Sequence, residues 1–362
     1  MKKIQVEGKK YLCFGPLRVR YETDRSEEIR KLTIGPINLF YRYDEKSGAV
    51  YLVLFGREIC IIPGETEEVA NRRIRHYQLR NKLSERRCQK ILETELTPLL
   101  GYKLNLEEPT TFNEKINWLK LHYHNPMITV CCDKYAVKEY AAQVIGEQYV
   151  LPVLGTWNHA ADIDFEALPD SFVLKVNWSS GYNIIVSDKS KLDTEAARTQ
   201  LNKWMQPECN SYYDTFNWGY KNMIPVIYAE PYIEQVDGQV YDYKFFMCNG
   251  KFEFMFIATN RQNEKVLTHD FFDSQFNHLP FDYGGRVHAD KPLEKPVNFE
   301  KMIELATKLA KPFPFVRVDF YEVGDRVYLG EMTFYPGGGT LKFNPVSWDY
   351  MLGEKIVLDS SN

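Results

Sequence analysis

The sequence lacks the short signatures by which many proteins hold phosphate. It contains no G-x-x-x-x-G-K-[ST], no G-x-G-x-x-G and no H-R-D, so a P-loop, a Rossmann turn and a protein-kinase catalytic loop are excluded. None of its seven cysteines forms a C-x-x-C pair, and an odd count suits free thiols in a reducing compartment. The longest apolar run, AVYLVLF at 49–55, is far too short to cross a bilayer and reads as a buried strand. The start, MKKIQVEGKKYL, is basic without an apolar core of signal-peptide length, so a cytoplasmic protein is expected. A net charge of −4 gives no general attraction to polyanions, and no nucleic acid partner is expected.

What is present has ordinary globular composition, 44% apolar and 26% charged over 362 residues, with room for two or three packed units. Residues 1–63 alternate strand-like runs with turn signals and read as a small antiparallel β-rich unit. FGPL, IGPI and LFGRE recur there like a degraded repeat. A helical connecting region follows at 64–130. Between Arg72 and Lys90 eight Lys/Arg face one acid, Glu85; the bland reading is a solvated helix face, the sharper one a peripheral contact with anionic lipid or a lipid-linked substrate. Thr111 and Glu114 have capping-box spacing, with Ile116, Leu119 and Tyr123 on one helical face. A further helix is expected over 133–148, opened by Asp133. Strands alternate with helices through the rest, which suits an α+β fold with largely antiparallel sheets.

Chemistry is suggested first by FVRVDFYEVGDRVYLGEMTFYPGGG, 315–339. Strand residues two apart share a face, so Arg317 joins Asp319 and Glu331 joins Thr333. A two-residue loop at Gly324-Asp325 would oppose Asp319 to Gly330 and turn Glu331 away. A three-residue loop, Gly324-Asp325-Arg326, would set 319 beside 331 and 317 beside 333. Two adjacent carboxylates repel unless a cation intervenes, and Mg²⁺ shared with substrate phosphates would serve. The bland alternative is a surface ion pair between Arg317 and Asp319. Gly337, Gly338 and Gly339 follow, where backbone N–H groups can face an anion. In SFVLKVNWSSGYNIIV, Lys175 projects from the mixed side of a strand beside Ser179, Ser180 and Gly181, a candidate phosphate grip.

In order, TTFNEKINWLK, DKYAVKEY, VLKVNWSSG, YAEPYIE, DYKFF, RVDFY and GEMTFYPGGG resemble the ATP-grasp superfamily, in particular its teichuronopeptide-biosynthesis-like (TupA-like) branch associated with bacterial surface polysaccharides. The resemblance covers roughly residues 95–350. It implies two subdomains clasping ATP, a lid at 131–225 and a C-terminal metal-bearing part at 226–362. It further implies that Lys134 and Lys175 hold phosphates and that Ser179, Ser180 and Gly181 close over them. Glu230 would sit beside the adenine amino group, with Pro231 to Ile233 lining the base and Glu234 or Asp237 reaching the ribose. Asp319 and Glu331 would bind Mg²⁺, Arg317 would steady the transferred phosphoryl group, and Lys244 would touch phosphate or carboxylate. Thr333 stands where the superfamily usually has Asn, which favours one metal over two. The implied reaction is ATP-driven amide formation through an acyl phosphate, joining a small amine or amino acid to a uronic-acid carboxylate in a glycan or its precursor. A glycosyltransferase, a glycan phosphotransferase and a non-catalytic glycan-binding protein are the rivals. The sole D-x-D, Asp162 and Asp164, is expected in a loop. His122 and His124 read as helix surface, Cys131-Cys132 as packing, and the other histidines have no interpretable spacing.

Overall fold

A computed structural model of the protein describes residues 79–178, 180–233, 241–259 and 267–358, and, as backbone strands, segments between 2 and 62. The chain divides into two compact units, 1–80 and 81–362.

In the first unit the described strands are β1 (Lys2–Val6), β2 (Lys9–Phe14), β3 (Leu17–Tyr21), β4 (Ile29–Ile34), β5 (Ile37–Tyr43), β6 (Val50–Leu54) and β7 (Arg57–Ile62). They pair in sequence order as one antiparallel sheet. The same tight pairing recurs at Phe14 with Leu17, Ile34 with Ile37 and Leu54 with Arg57. Those are the positions of the FGPL, IGPI and LFGRE recurrences.

The second unit takes in the described end of the segment expected to be a connector. Helix α1 (Glu85–Leu100) buries Cys88, Leu92 and Leu96, one residue per turn. Helix α2 (Phe112–His122) opens with the expected capping box: Glu114 N–H donates to Thr111 Oγ1 at 3.1 Å, and Thr111 N–H to Glu114 Oε2 at 3.0 Å. Ile116 and Leu119 are buried on its inner face, and buried Tyr123 follows at its end. The helix expected over 133–148 is present as α4 (Val137–Ile145), and a short helix, α3 (Pro126–Cys132), precedes it. Asp133 stands between the two and opens α4, as expected. Its Oδ1 accepts from Tyr135 and Ala136 N–H, holding a turn, while its Oδ2 accepts from Asn177 Nδ2 at 2.6 Å.

Strands β8 (Gly155–Trp157), β9 (Phe172–Val176), β10 (Asn183–Val186) and β11 (Ile227–Pro231) form a four-stranded antiparallel sheet in the order β10-β9-β11-β8. Pairing of β11 with β9 carries this sheet across the expected boundary at 225/226. Between its strands lie α5 (Thr194–Trp204) and α6 (Tyr212–Thr215).

A second sheet contains β12 (Asp242–Cys248), β13 (Lys251–Thr259), β14 (Thr268–Phe272), β16 (Phe315–Val323) and β17 (Arg326–Thr333), in the order β14-β13-β12-β16-β17. A two-residue pair, β15 (Asp282–Tyr283) with β18 (Phe343–Asn344), stands beside it. Helix α7 (Phe299–Ala310) covers one face and sets Phe299 against Phe245. On the other face, Phe112 of α2 meets Phe315 edge-on at 5.0 Å and Phe343 at 5.7 Å. That aromatic layer fills part of the face and leaves Arg317, Asp319 and Glu331 beyond it. The last helix, α8 (Ser347–Lys355), is fastened to α2 by Asp349, which accepts from Asn113 N–H and Nδ2.

Candidate active site

The register of the β16–β17 hairpin decides whether its acids meet. Val323 pairs with Arg326, so the connection is the two-residue turn Gly324-Asp325, with Gly324 at φ 60°. By itself that turn would oppose Asp319 to Gly330. The ladder shifts instead between Asp319 and Phe320: Phe320 pairs with Leu329, but Asp319 pairs with Glu331 and Arg317 with Thr333. Gly330 is the extra residue of a β-bulge, and the bulge returns Glu331 to the face of Asp319. Sequence reasoning thus reached the right pairing through the wrong loop, because a bulge leaves little trace beyond its glycine. A Cβ on Gly330 would stand 2.8 Å from Tyr321 Cε2 and 3.2 Å from Asp319 O, so the close approach requires glycine.

Arg317 holds the acids together. Its Nε donates to Asp319 Oδ1 at 2.7 Å, and its Nη2 to Asp319 Oδ2 at 2.6 Å, Glu331 Oε1 at 3.0 Å and Thr333 Oγ1 at 3.0 Å. Lys244, whose cross-strand partner is Asp319, donates to Asp319 Oδ2 and lies 2.6 Å from Asp242 Oδ2. Lys134 reaches Glu331 Oε2 at 2.6 Å. Its backbone N–H is fixed by Asn177 O, at the end of β9. The acids differ in exposure, 1% for the Asp319 side chain and 25% for Glu331. Burial lifts the Asp319 pKa despite Arg317 and Lys244. At Glu331 burial acts in the same direction, but Lys134, Lys244 and Arg317 overcome it and hold the carboxyl well below its ordinary range. Burial also opposes the charge on Arg317, and Asp319 and Glu331 more than restore it.

Lys175 lies on the four-stranded sheet. It pairs in register with Tyr228, so Glu230, two residues on, shares its face. Glu230, 5% exposed, accepts from Lys175 on Oε1 and lies 3.0 Å from Lys138 Nζ on Oε2. Burial would raise its pKa, yet the two lysines lower it. Ser180 and Gly181, with Gly181 at φ 78°, are exposed in the β9–β10 connection, while Pro231 and Ile233 are half-buried. Ser179, Glu234 and Asp237 lie outside the described residues.

The glycine run departs from expectation. Gly337, Gly338 and Gly339 all take positive φ, but the loop is fastened by its carbonyls. Asn117 Nδ2 donates to Gly339 O at 2.9 Å and Lys120 Nζ to Gly338 O at 2.7 Å, while the Gly338 N–H is bound by Tyr335 O. The loop's carbonyls anchor it to α2, with Gly339 buried, and the Gly338 N–H is already occupied. Lys138 and Asp242 are the site members that sequence reasoning missed, and Lys120 the anchor of the glycine loop that it missed. The alternation that joins Arg317 to Asp319 equally joins Asp242 to Lys244, and Lys138 follows Lys134 by one helical turn. Among the histidines and cysteines, His122 pairs with Glu85 at 2.8 Å, His124 stacks on Trp218, and Cys131 and Cys132 are buried. Asp162 and Asp164 are exposed, and Asp164 Oδ1 caps the Glu166 N–H.

Five basic side chains (Lys134, Lys138, Lys175, Lys244, Arg317) therefore meet four acids (Glu230, Asp242, Asp319, Glu331) in two clusters. Lys138 and Lys175 meet Glu230 on the four-stranded sheet, and Lys134, Lys244 and Arg317 meet Asp242, Asp319 and Glu331 on the five-stranded one. Asp319, Glu331 and Thr333 offer oxygen donors only, and Thr333 Oγ1 stands 3.2 Å from Glu331 Oε1. That donor chemistry fits a hard divalent cation such as Mg²⁺.

The family model described as TupA-like ATPgrasp matches residues 114–357, more than half of the chain. The chain belongs to the TupA-like ATP-grasp family, and its α+β architecture is an ATP-grasp fold. Among solved structures it is similar to D-alanine-D-alanine ligase from Helicobacter pylori, at 17% identity over 63% of this chain and 62% of that one, TM-score 0.36. It is also similar to the Bacillus anthracis D-alanine–D-alanine ligase complexed with ATP, at 14% identity over 64% and 66%, TM-score 0.36. A third is N5-carboxyaminoimidazole synthetase from Staphylococcus aureus complexed with ADP, at 13% identity over 64% and 53%, TM-score 0.34. Each match spans less than two thirds of the other chain. No curated protein matches.

Proposed function

We propose that the chain is an ATP-dependent, Mg²⁺-requiring ligase that joins a carboxylate to an amine through an acyl phosphate. The observation that carries this reading is the pairing of Asp319 with Glu331 on one sheet face, with Arg317, Lys134 and Lys244 converging on them. A carboxylate is a poor electrophile, because its charge repels nucleophiles and oxide is a poor leaving group. Phosphorylation supplies the leaving group, and the resulting acyl phosphate must be kept from water.

In this reading Asp319, Glu331 and Thr333 hold the ion. When bound, Mg²⁺ supplies neutralising charge to the transferring phosphates. Lys134 and Lys175 bind the nucleotide's phosphates, Ser179, Ser180 and Gly181 cover them, and Glu230 with Pro231 to Ile233 frames the base. Glu234 or Asp237 meets the ribose, Arg317 steadies the phosphoryl group, and Lys244 orients the acid to be phosphorylated. The part from 131 through β11, which completes the four-stranded sheet, and the part after it form the clasp. The acceptor is a uronic-acid carboxylate of a bacterial capsular or surface polysaccharide or its precursor, and the nucleophile an amino acid or small amine. This cytoplasmic enzyme would meet lipid-linked substrate through the basic 72–90 segment. In its described part Lys82, Arg86, Arg87 and Lys90 are exposed. Among the described residues no helix is long and apolar enough to cross a membrane.

The test is a screen of amino acids against uronic-acid acceptors, following ADP and phosphate release together with product mass. Acceptor- and amine-dependent ADP release with loss of water between the substrates is expected. Turnover with nucleotide sugars in the absence of ATP would contradict the proposal.

A further inference from the structure

Outside the active site, one cluster unites three side chains of metal-binding type. Asp270 lies on β14, the outermost described strand of the five-stranded sheet. Its neighbour His269 pairs with Ala258, which in turn pairs with Asp242, so His269 shares the sheet face of the active-site acids. Asp270 therefore points to the opposite face. Two loops bring His278 and His288 to it. His278 is placed by a bridge with Phe272 and by the turn in which Asp273 accepts from Gln275 and Asn277 N–H. His288 is placed by the Thr268–Val287 bridge.

The spacings are those of a ligand set. Asp270 Oδ1 stands 3.3 Å from His278 Nε2 and 3.4 Å from His288 Nδ1. The three ligand atoms lie within 4.8 Å of one another. Metal–nitrogen and metal–oxygen bonds of zinc length place neighbouring vertices of a tetrahedron ~3.3 Å apart. The imidazoles cross at 77° with centroids 4.7 Å apart, so both rings can present an edge to one point. The second oxygen of Asp270 is already oriented, accepting from Ala289 N–H at 3.0 Å, the kind of outer bond that fixes a ligating carboxylate. Asp270 is 4% exposed, and its described partners are that N–H and the two rings. A buried carboxylate is costly unless a charge offsets it, and a divalent ion would do so. With its proton on Nε2, His288 would direct the Nδ1 lone pair to the ion. Without the ion, Nδ1 stands 2.9 Å from the His269 carbonyl, a hydrogen bond in which Nδ1 is the donor and which metal binding would replace; solvent would complete the shell.

We propose that Asp270, His278 and His288 form a zinc-class metal site that pins the loops after β14 to the edge of the catalytic sheet. Two imidazoles and one carboxylate select a borderline transition ion, unlike the all-oxygen set at Asp319 and Glu331. Neither histidine belongs to the nucleotide site, so the inference stands or falls independently of the ligase reading.

The test uses full-length, untagged protein stripped with chelator. Zn²⁺ titrated calorimetrically, with Mg²⁺ in excess, should bind at one ion per chain and raise the melting temperature. Co²⁺ should give the intense visible absorption of a low-coordinate site. His278→Ala and His288→Ala should each weaken Zn²⁺ binding about tenfold or more and abolish the thermal shift, whereas His122→Ala should not. Both rings are about two-fifths exposed, so these variants should fold, and circular dichroism of the metal-free proteins verifies it. Absence of stoichiometric Zn²⁺ uptake, or uptake undiminished in both variants, would overturn the proposal.

Discussion

Lys120 offers a prediction in which stability and pH are tied to one buried atom. The residue is 1% exposed, and its Nζ donates to Asn117 Oδ1 at 2.8 Å and to Gly338 O at 2.7 Å. Burial pushes its pKa down from 10.5 to about 7. The unfolded chain therefore binds the proton more tightly, and stability contributed by this group rises with pH between the two values. Linkage gives a gain of about 3 kcal/mol between pH 7 and pH 9.5, from the difference in proton occupancy of the two states. Other groups also titrate there. Burial holds the Cys131 thiol up at about 12, for example, which costs stability as pH rises. Comparison with Lys120→Met removes such shared contributions. The variant loses two hydrogen bonds but also the buried charge, so near pH 7 its stability should lie close to wild type. By pH 9.5 the deficit should have grown by about 3 kcal/mol. Urea unfolding of both proteins at the two pH values measures this directly. A deficit that stays constant would refute the idea that Lys120 is folded into a dry site and loses its proton there.

Other outcomes follow from the hairpin. Gly330→Ala must move Tyr321 or the Asp319 carbonyl; a destabilisation of about 1–3 kcal/mol is expected in chemical denaturation, with loss of nucleotide-dependent activity as Glu331 leaves register. An unperturbed, fully active variant would contradict the role given to the bulge. Asp319→Ala strips Arg317 and Lys244 of a carboxylate that is 1% exposed. The expected cost is about 3–5 kcal/mol without any ligand, and a cost under ~1 kcal/mol would mean that the buried pairs are not formed.

Much of the fold was legible because its signals are local. The Thr111–Glu114 capping box and the apolar stripe of α2 need only residues close in sequence, and both are present. Alternation put Arg317 with Asp319, and Glu331 with Thr333, on shared faces. What escaped depends on the third dimension. Nothing within DKYAVKEY tells that Asp133, besides opening its helix, is bound by Asn177, 44 residues on. Nor does PGGG tell that a lysine from α2 is buried against its carbonyls. The His278–His288 cluster was illegible for the same reason, because its carboxylate comes from a strand and its rings from two different loops.

The central claim is that Asp319 and Glu331 bind the ion that accompanies ATP. Calorimetric titration of ATP into wild type and Glu331→Gln, each with and without Mg²⁺, tests it most directly. Mg²⁺ should strengthen nucleotide binding to wild type by about tenfold or more, ~1.4 kcal/mol, and should do little for the variant. Equal Mg²⁺ enhancement in both proteins would contradict the account.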